Sequence, residues 1–338
     1  MIIMTNHKNF LNENTINWLL EDENPSVKYF TLKDILEKPI NNQEFADIKK
    51  QIMNIGIVPK ILETQKPEGY WGKPEDFYLR SKYKGTVWNL IILASVGADG
   101  KDHRIKKICE FILKNSQDPK RGGFAHCSSK KGRGEPGKVI PCLTGNMVWS
   151  LIKFGYFKDL RVQKAIDWIV KYQRFDDGDA KYPDDWPYKA HKACFSKHSC
   201  HMGAVKALKA LSQVPKNKRN KEVKNTIDQG VEYLLIHHIY KRSHNLTKIS
   251  KPGWLRLGFP HMYQDDILEI LNILTDLGVH DKRMQDAVNI VESKQGKHGK
   301  WILENTFNGR YITNIEVKGK PSKWVTLNAI RMLKKYYI

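Results

Sequence analysis

Apolar residues recur along this chain at helical spacing, in stretches of helix length, and the glycines and prolines fall between those stretches. Helix starts and stops require that punctuation. Three segments line up: Gly85 to Phe124, Leu143 to Asp179 and Gln264 to Trp301. Each begins with an apolar helix and reaches a glycine (Gly97, Gly155, Gly278). Each then turns through Asp and Arg (Arg104, Arg161, Arg283) and runs a second helix to a glutamine (Gln117, Gln173, Gln295). Weaker copies fill the gaps. "NPSVKYFTLKDIL" pairs with the segment ending at Gln65 and Trp71, and "CHMGAVKALKALSQVP" pairs with "EVKNTIDQGVEYLLIHHIY". "SKWVTLNAIRMLKKYYI" begins a last copy. Thr86, Thr144, His201, Asp266 and Thr326 start successive first helices at intervals of 58, 57, 65 and 60 residues.

A period of this kind is the mark of stacked helical hairpins. Six first helices have only five partners, and the short amphipathic "NENTINWLLEDENP" precedes the first pair. An open solenoid needs polar caps at its ends. Here both ends are apolar, which predicts that they bury each other. The expected fold is all-α: one domain over 1–338, an (α/α)6 toroid of helical-hairpin repeats closed by its N- and C-terminal helices.

Composition adds charge to this picture. Hydrophobic residues make up 41% of the chain, and 57 Lys+Arg against 36 Asp+Glu give a formal net charge of +21. Such a field favours anionic partners, although the lysines are spread evenly. Five cysteines are too few, and odd in number, for a disulfide scaffold. "MIIMTNHKNF" has no signal-peptide core, and no apolar run approaches the ~18 residues of a membrane span. The expectation is a cytoplasmic protein, with peripheral membrane contact left open.

"KNSQDPKRGGF", "ETQKPEGYWG" and "ESKQGKHGKW" resemble the Gln–Gly–Trp/Phe repeat of squalene and oxidosqualene cyclases and protein prenyltransferase β-subunits. The chain is similar, over nearly its whole length, to prenyltransferase/squalene-oxidase-repeat proteins. The resemblance implies a terpenoid-cyclase-like toroid with an apolar central cavity and an active site at one end of the barrel. It implies an enzyme of the transferase or isomerase kind, taking an isoprenoid or other apolar substrate with a diphosphate or other anionic head. Two departures weaken the carry-over. "DDGD" (176–179) and "PDDW" (183–186) do not have the cyclases' Asp-x-Asp-Asp order, and no Asp-x-Cys of the zinc prenyltransferases occurs.

In a toroid all inner helices run the same way, so their N-termini meet at one mouth, where free N–H groups and dipoles favour anions. That placement selects Lys84, Trp88, Asn146, Trp149, Arg256, His261, Tyr263, Lys323 and Trp324 as substrate-binding residues, and Asp265, Asp266, Cys200 and His201 as catalytic ones. Cys142, Cys200, His201 and Asp265 have the donor types of a zinc site, with His126, Cys127, Cys194 and His198 in reserve. Cys200 reads equally as a thiolate activated by the helix terminus and His201, or as packing at a helix end. "QDDILE" places Asp265, Asp266 and Glu269 on one turn, as a Mg²⁺ diphosphate site would, or as ordinary N-terminal acids. The basic, aromatic connection His237–Tyr263 and the loop 128–138 read as phosphate clamps or covers, or as solvated loops. Two other functions stay open: a non-enzymatic protein binding nucleic acid or another polyanion through its basic surface, and carbohydrate chemistry between Asp177 and Asp265.

Overall fold

The computed structural model describes residues 9–40, 43–79, 82–178, 181, 183–195 and 198–338. Residues 1–8, on which part of the N-terminal reading rests, and Asp179 of "DDGD" lie outside the described residues. The helices in chain order are α1 (Glu13–Leu19), α2 (Pro25–Phe30, continued by a π-helical turn over Thr31–Ile35), α3 (Gln43–Asn54), α4 (Ile57–Leu62), α5 (Thr86–Ser95) and α6 (His103–Asn115). They continue with α7 (Pro141–Lys153), α8 (Leu160–Tyr172), α9 (Lys192–Phe195), α10 (His201–Ser212), α11 (Lys221–Ile236), α12 (Ile267–Asp276), α13 (Gln285–Ser293) and α14 (Lys323–Tyr337). A small antiparallel hairpin, β1 (Lys241–Arg242) and β2 (Asn245–Ile249), interrupts the run, with Lys241 opposite Ile249 and Arg242 opposite Asn245.

Burial sorts these helices into two layers. In α5 every residue from Thr86 to Ala94 is buried. In α6 burial is confined to Ile105, Ile108, Cys109 and Phe111–Leu113, one stripe of an otherwise charged helix. A helix apolar all round belongs inside and an amphipathic one outside. The inner helices contact one another in sequence: α5 with α7, α7 with α10, α10 with α12, α12 with α14, and α14 with α2. Phe30 of α2 lies against Gly97 just past α5, and Lys49 donates to the Gly97 carbonyl at 2.9 Å, which closes the circle. The N-terminal α1 packs on α14, and the Thr15 hydroxyl donates to the His298 carbonyl at 3.1 Å. The ends bury each other, and the predicted six inner and six outer positions are filled.

The repeated residues have defined jobs. The aromatic residue after the glycine donates its backbone N–H to the threonine that opens an inner helix: Trp71 to Thr86 at 3.3 Å, Phe124 to Thr144 at 2.9 Å and Trp301 to Thr326 at 2.9 Å. The repeat glutamine reaches the next hairpin. Gln65 Nε2 donates to the Arg104 carbonyl at 3.1 Å, and Gln117 Nε2 to the Arg161 carbonyl at 2.7 Å. The turn aspartates Asp102, Asp159 and Asp281 accept the N–H of Arg104, Arg161 and Arg283, capping the outer-helix turns. These ties connect hairpins, so the motif specifies stacking and says little about chemistry.

A buried N–H left without its acceptor costs about 1–3 kcal/mol. Thr144→Val keeps the shape and removes the acceptor, so it is expected to destabilise the fold by that amount in urea denaturation. Thr144→Ser is expected to be near neutral. Thr86→Val, at the longer 3.3 Å bond, is expected to cost less than Thr144→Val.

Candidate functional site

The inner helices do start at one end of the barrel, but most of their N-termini are already met by neighbouring groups. Asn24 caps α2 through the Val27 N–H, and Val87 of α5 donates to the Phe77 carbonyl. α7 opens with Pro141, which has no N–H to offer, and Asp266 caps α12 through Glu269. Ser322 caps α14 while Glu316 takes the Lys323 N–H at 2.7 Å. Four of the six termini are thus met by their own chain and α7 opens on a proline, while α10 begins at Cys200 without a side-chain cap, so a six-fold diphosphate cradle is not formed among the described residues. Aromatic rings occupy this end. Trp88 stacks on Tyr78 at 4.7 Å, and Tyr83 stacks on Phe307 at 4.2 Å with Tyr311 edge-on.

The cavity lies toward the other end. It measures about 130 Å³ and is lined from all six inner helices, among them Phe30, Ser95, Trp149, Lys153, Lys209, Glu269, Asn272, Asp276 and Arg331, with Phe259 and His261 from the connection before α12. Its wall is mixed, with Phe30, Trp149, Phe259 and Leu268 beside the charged groups. C-terminal helix ends carry partial negative charge, and the cations Lys153, Lys209 and Arg331 gather there.

Behind it lies a buried ionic network. Glu269 Oε2 pairs with Lys206 at 2.5 Å and Oε1 with Lys209 at 2.9 Å, and the Lys206 side chain has no exposure. Burial alone would raise the Glu269 carboxyl, but Lys206 and Lys209 overcome it and hold it well below its ordinary range. Burial pushes the Lys209 ammonium down, partly offset by Glu269. Lys209 also sits 4.0 Å above the Trp149 ring. His261 Nε2 is 2.9 Å from Asp266 Oδ2. Burial works against the imidazolium, but Asp266 and then Glu269 raise it above its usual value. Arg331 is paired with Asp34 at 3.3 Å and approaches Asp276 at 3.7 Å. Lys153 differs from these. It is open to water at the cavity wall and has no carboxylate within ion-pair distance among the described residues. The surrounding protein, Arg331 and Lys33 bring its ammonium down to about 8, against the pull of Asp276 and Asp34.

The sequence-selected residues therefore divide. Trp149 and His261 line the cavity. Trp88 is a core residue donating to the Tyr78 carbonyl, and Asn146 donates to the Met262 carbonyl. Lys323 pairs with Glu21 at 2.6 Å, and Trp324 stacks on Phe259 at 4.3 Å. Tyr263 accepts from Lys82 at 2.9 Å. Lys84 and Arg256 are exposed. The loop 128–138 is not free to fold over a ligand: Gly134 donates to Gln117, and Glu135 to Cys127.

The catalytic and metal sets also change meaning. Asp265 is buried with His201 Nε2 3.0 Å from its Oδ2, in a poorly aligned contact, and His201 stacks on Trp254 at 3.9 Å. Cys142, Cys194 and Cys200 influence one another electrostatically, and burial raises all three thiols, Cys194 to about 11. The Gly203 and Met202 amides do lower Cys200, as a helix start should, but burial outweighs them. Burial thus holds the Cys200 thiol above its ordinary value, the opposite of what an activated thiolate needs. The proposed zinc ligands Cys142, Cys200, His201 and Asp265 do not form a metal group. No set of three or more His, Cys, Asp or Glu does so among the described residues. The Mg²⁺ reading of "QDDILE" fits no better, because Asp265, Asp266 and Glu269 each face a different basic side chain: His201, His261 and Lys206. Asp177 stands in a separate cluster, 3.5 Å from His237, 3.3 Å from His244 and bonded to the Ser243 hydroxyl.

Lys153, Lys209, Asn272 and Arg331 were missed. For the three cations the available signal was a charge inside an inner-helix segment: "AVKALKAL" carries two, and "SLIKF" and "AIRML" one each, while Asn272 gave no such signal.

No protein-family model matches the chain, and no curated protein does. Among solved structures, it is similar to a type II terpene cyclase, MstE from Scytonema. A variant bound to its substrate geranylgeranyl dihydroxybenzoate is 15% identical, covering 95% of this chain and 98% of that one, with a TM-score of 0.41. The apo enzyme is 14% identical over 94% and 97%, with a TM-score of 0.42. A complex with the product merosterolic acid A is 14% identical over 95% and 97%, also at 0.42. The circle of helix contacts establishes an all-α toroid, and the site has to be read from its own residues. No described helix is long and apolar enough to cross a membrane.

Proposed function

We propose that this protein binds a small molecule with an anionic head group in the central cavity, and that it acts there by proton transfer. The carrying observation is Lys153, a cavity cation without a carboxylate partner, beside carboxylates that are already neutralised. An incoming anion would complete its charge. Arg331 and Lys209 add positive potential around the same space. His261, whose charged form Asp266 and Glu269 favour against burial, is the proton donor in the wall, and Lys153 is the anion's counter-charge.

The space limits the ligand. Drug-sized pockets run from roughly 300 Å³ upward, and a cavity of about 130 Å³ is below that. A short isoprenoid with its diphosphate toward Lys153 fits this reading, and a long prenyl chain does not. The test is thermal shift with inorganic pyrophosphate and with C5, C10 and C15 isoprenoid diphosphates. Pyrophosphate and the C5 compound are expected to raise Tm, by an amount that grows with concentration as mass action requires. Lys153→Ala is expected to keep the fold and lose that shift. An unchanged response in Lys153→Ala, or no response to any anion, would overturn the assignment. Tighter binding of the C15 compound would overturn the size limit.

A further inference from the structure

Away from the cavity, the outer surface carries a second concave feature. A groove of about 1100 Å³ runs between α6 and α8 and is bordered by the loop 131–133. Its cations fall into two kinds. Lys107 and Lys164 are committed to the Pro67 and Pro119 carbonyls, and Arg161 to Glu110 and Asp159, as parts of the repeat architecture. Lys106, Lys114, Lys131 and Arg133 line the groove as well, and are exposed without a carboxylate partner among the described residues. The facing carboxylates are Glu68 and Glu110, and Glu110 is neutralised by Arg161. In the floor, the half-buried Tyr70 ring lies 5.2 Å from Phe111.

We propose that this groove is a docking site for a single strand of nucleic acid, its phosphates on Lys106, Lys114, Lys131 and Arg133. Uncommitted cations along a groove match a chain with a repeating negative charge. A concave site suits a strand and excludes the flat face of a bilayer. An aromatic ring in the floor offers a base a stacking surface without selecting its identity. No cation here is arranged with partners that would read a base edge, so binding is sequence-tolerant and electrostatic.

The experiment is fluorescence anisotropy with labelled twelve-residue oligo-dT and oligo-rU over a salt series, on the full-length protein. Four phosphate contacts predict a slope of log K against log salt of about −3 for a single strand. The quadruple variant Lys106→Ala, Lys114→Ala, Lys131→Ala, Arg133→Ala is expected to bring that slope close to zero. A control with equal charge removed elsewhere, Lys216→Ala, Lys218→Ala, Lys221→Ala, Lys224→Ala, is expected to bind nearly as well as the parent. Circular dichroism and Tm verify that both variants remain folded. No binding at 50 mM salt overturns the proposal. So does equal weakening in the control, or polyglutamate competing as well as the oligonucleotides; the last outcome makes the partner an acidic protein. None of these results bears on the cavity, whose ligand is tested separately.

Discussion

Replacing Glu269 by alanine is expected to destabilise the folded protein by about 3–5 kcal/mol, the usual cost of stranding buried charge. Glu269 is the shared anion of Lys206 and Lys209, and the Lys206 side chain is fully enclosed. Lys206 would keep only the Gln264 carbonyl, at 3.0 Å. Breaking such a network costs far more than exchanging it for apolar volume. The combination Glu269→Leu, Lys206→Met, Lys209→Met is therefore expected to recover most of the loss. Urea denaturation of the parent, the single variant and the triple variant measures both numbers. A loss below about 1 kcal/mol for Glu269→Ala would show a water-exposed trio, since exposed pairs contribute only that much. The pH dependence follows with its sign. The folded-state pKa of Glu269 is depressed. Its contribution is thus present above its ordinary value of 4.5 and is lost as the pH falls below it. His261 is raised from 6.5, so its contribution is complete below 6.5 and fades as the pH climbs through the raised value. The Glu269→Ala variant is expected to lose the acid limb of the parent's stability profile.

The second large effect is steric. Gly145 lies where α7 crosses α10, and a Cβ there would stand 2.4 Å from the carbonyl carbon and oxygen of Lys206. Those are backbone atoms, which cannot swing aside. Alanine in a helix interior gains about 1 kcal/mol over glycine, while overpacking a core costs about 1–3 kcal/mol. Gly145→Ala is expected to be net destabilising, and Gly145→Val more so, because parting α7 from α10 also moves Lys206 off Glu269. Gly137, with nothing within 4 Å of its added Cβ, is the control, and Gly137→Ala is expected to leave Tm unchanged. A neutral Gly145→Ala would mean that the two helices are farther apart than described.

Both predictions concern residues that the sequence presented without their partners. Lys206 and Lys209 read as lysines dotting an apolar helix, and Glu269 as a first-turn acid. Two helices, α10 and α12, had to meet before they became one network. The same holds for Lys153 and Arg331, which are far apart in sequence and share one cavity. The error over the mouth has a local origin. Helix N-termini do point one way, as the sequence argument required, but Asn24, Asp266, Ser322 and Glu316 serve them from within. Capping by neighbours removes the anion site that the dipole argument predicts.

The hairpin rhythm, the alternation of buried and amphipathic helices, and the closure of α1 on α14 were determined by the sequence alone. The first two depend on periodicity and local turn chemistry, which are properties of contiguous residues, and the closure follows from the unpaired apolar helix left at each end. Which charges face inward, which thiols are buried and where the cavity lies were decided only by the tertiary structure. Burial and ion pairing depend on distances between segments, and a linear pattern contains no such distances.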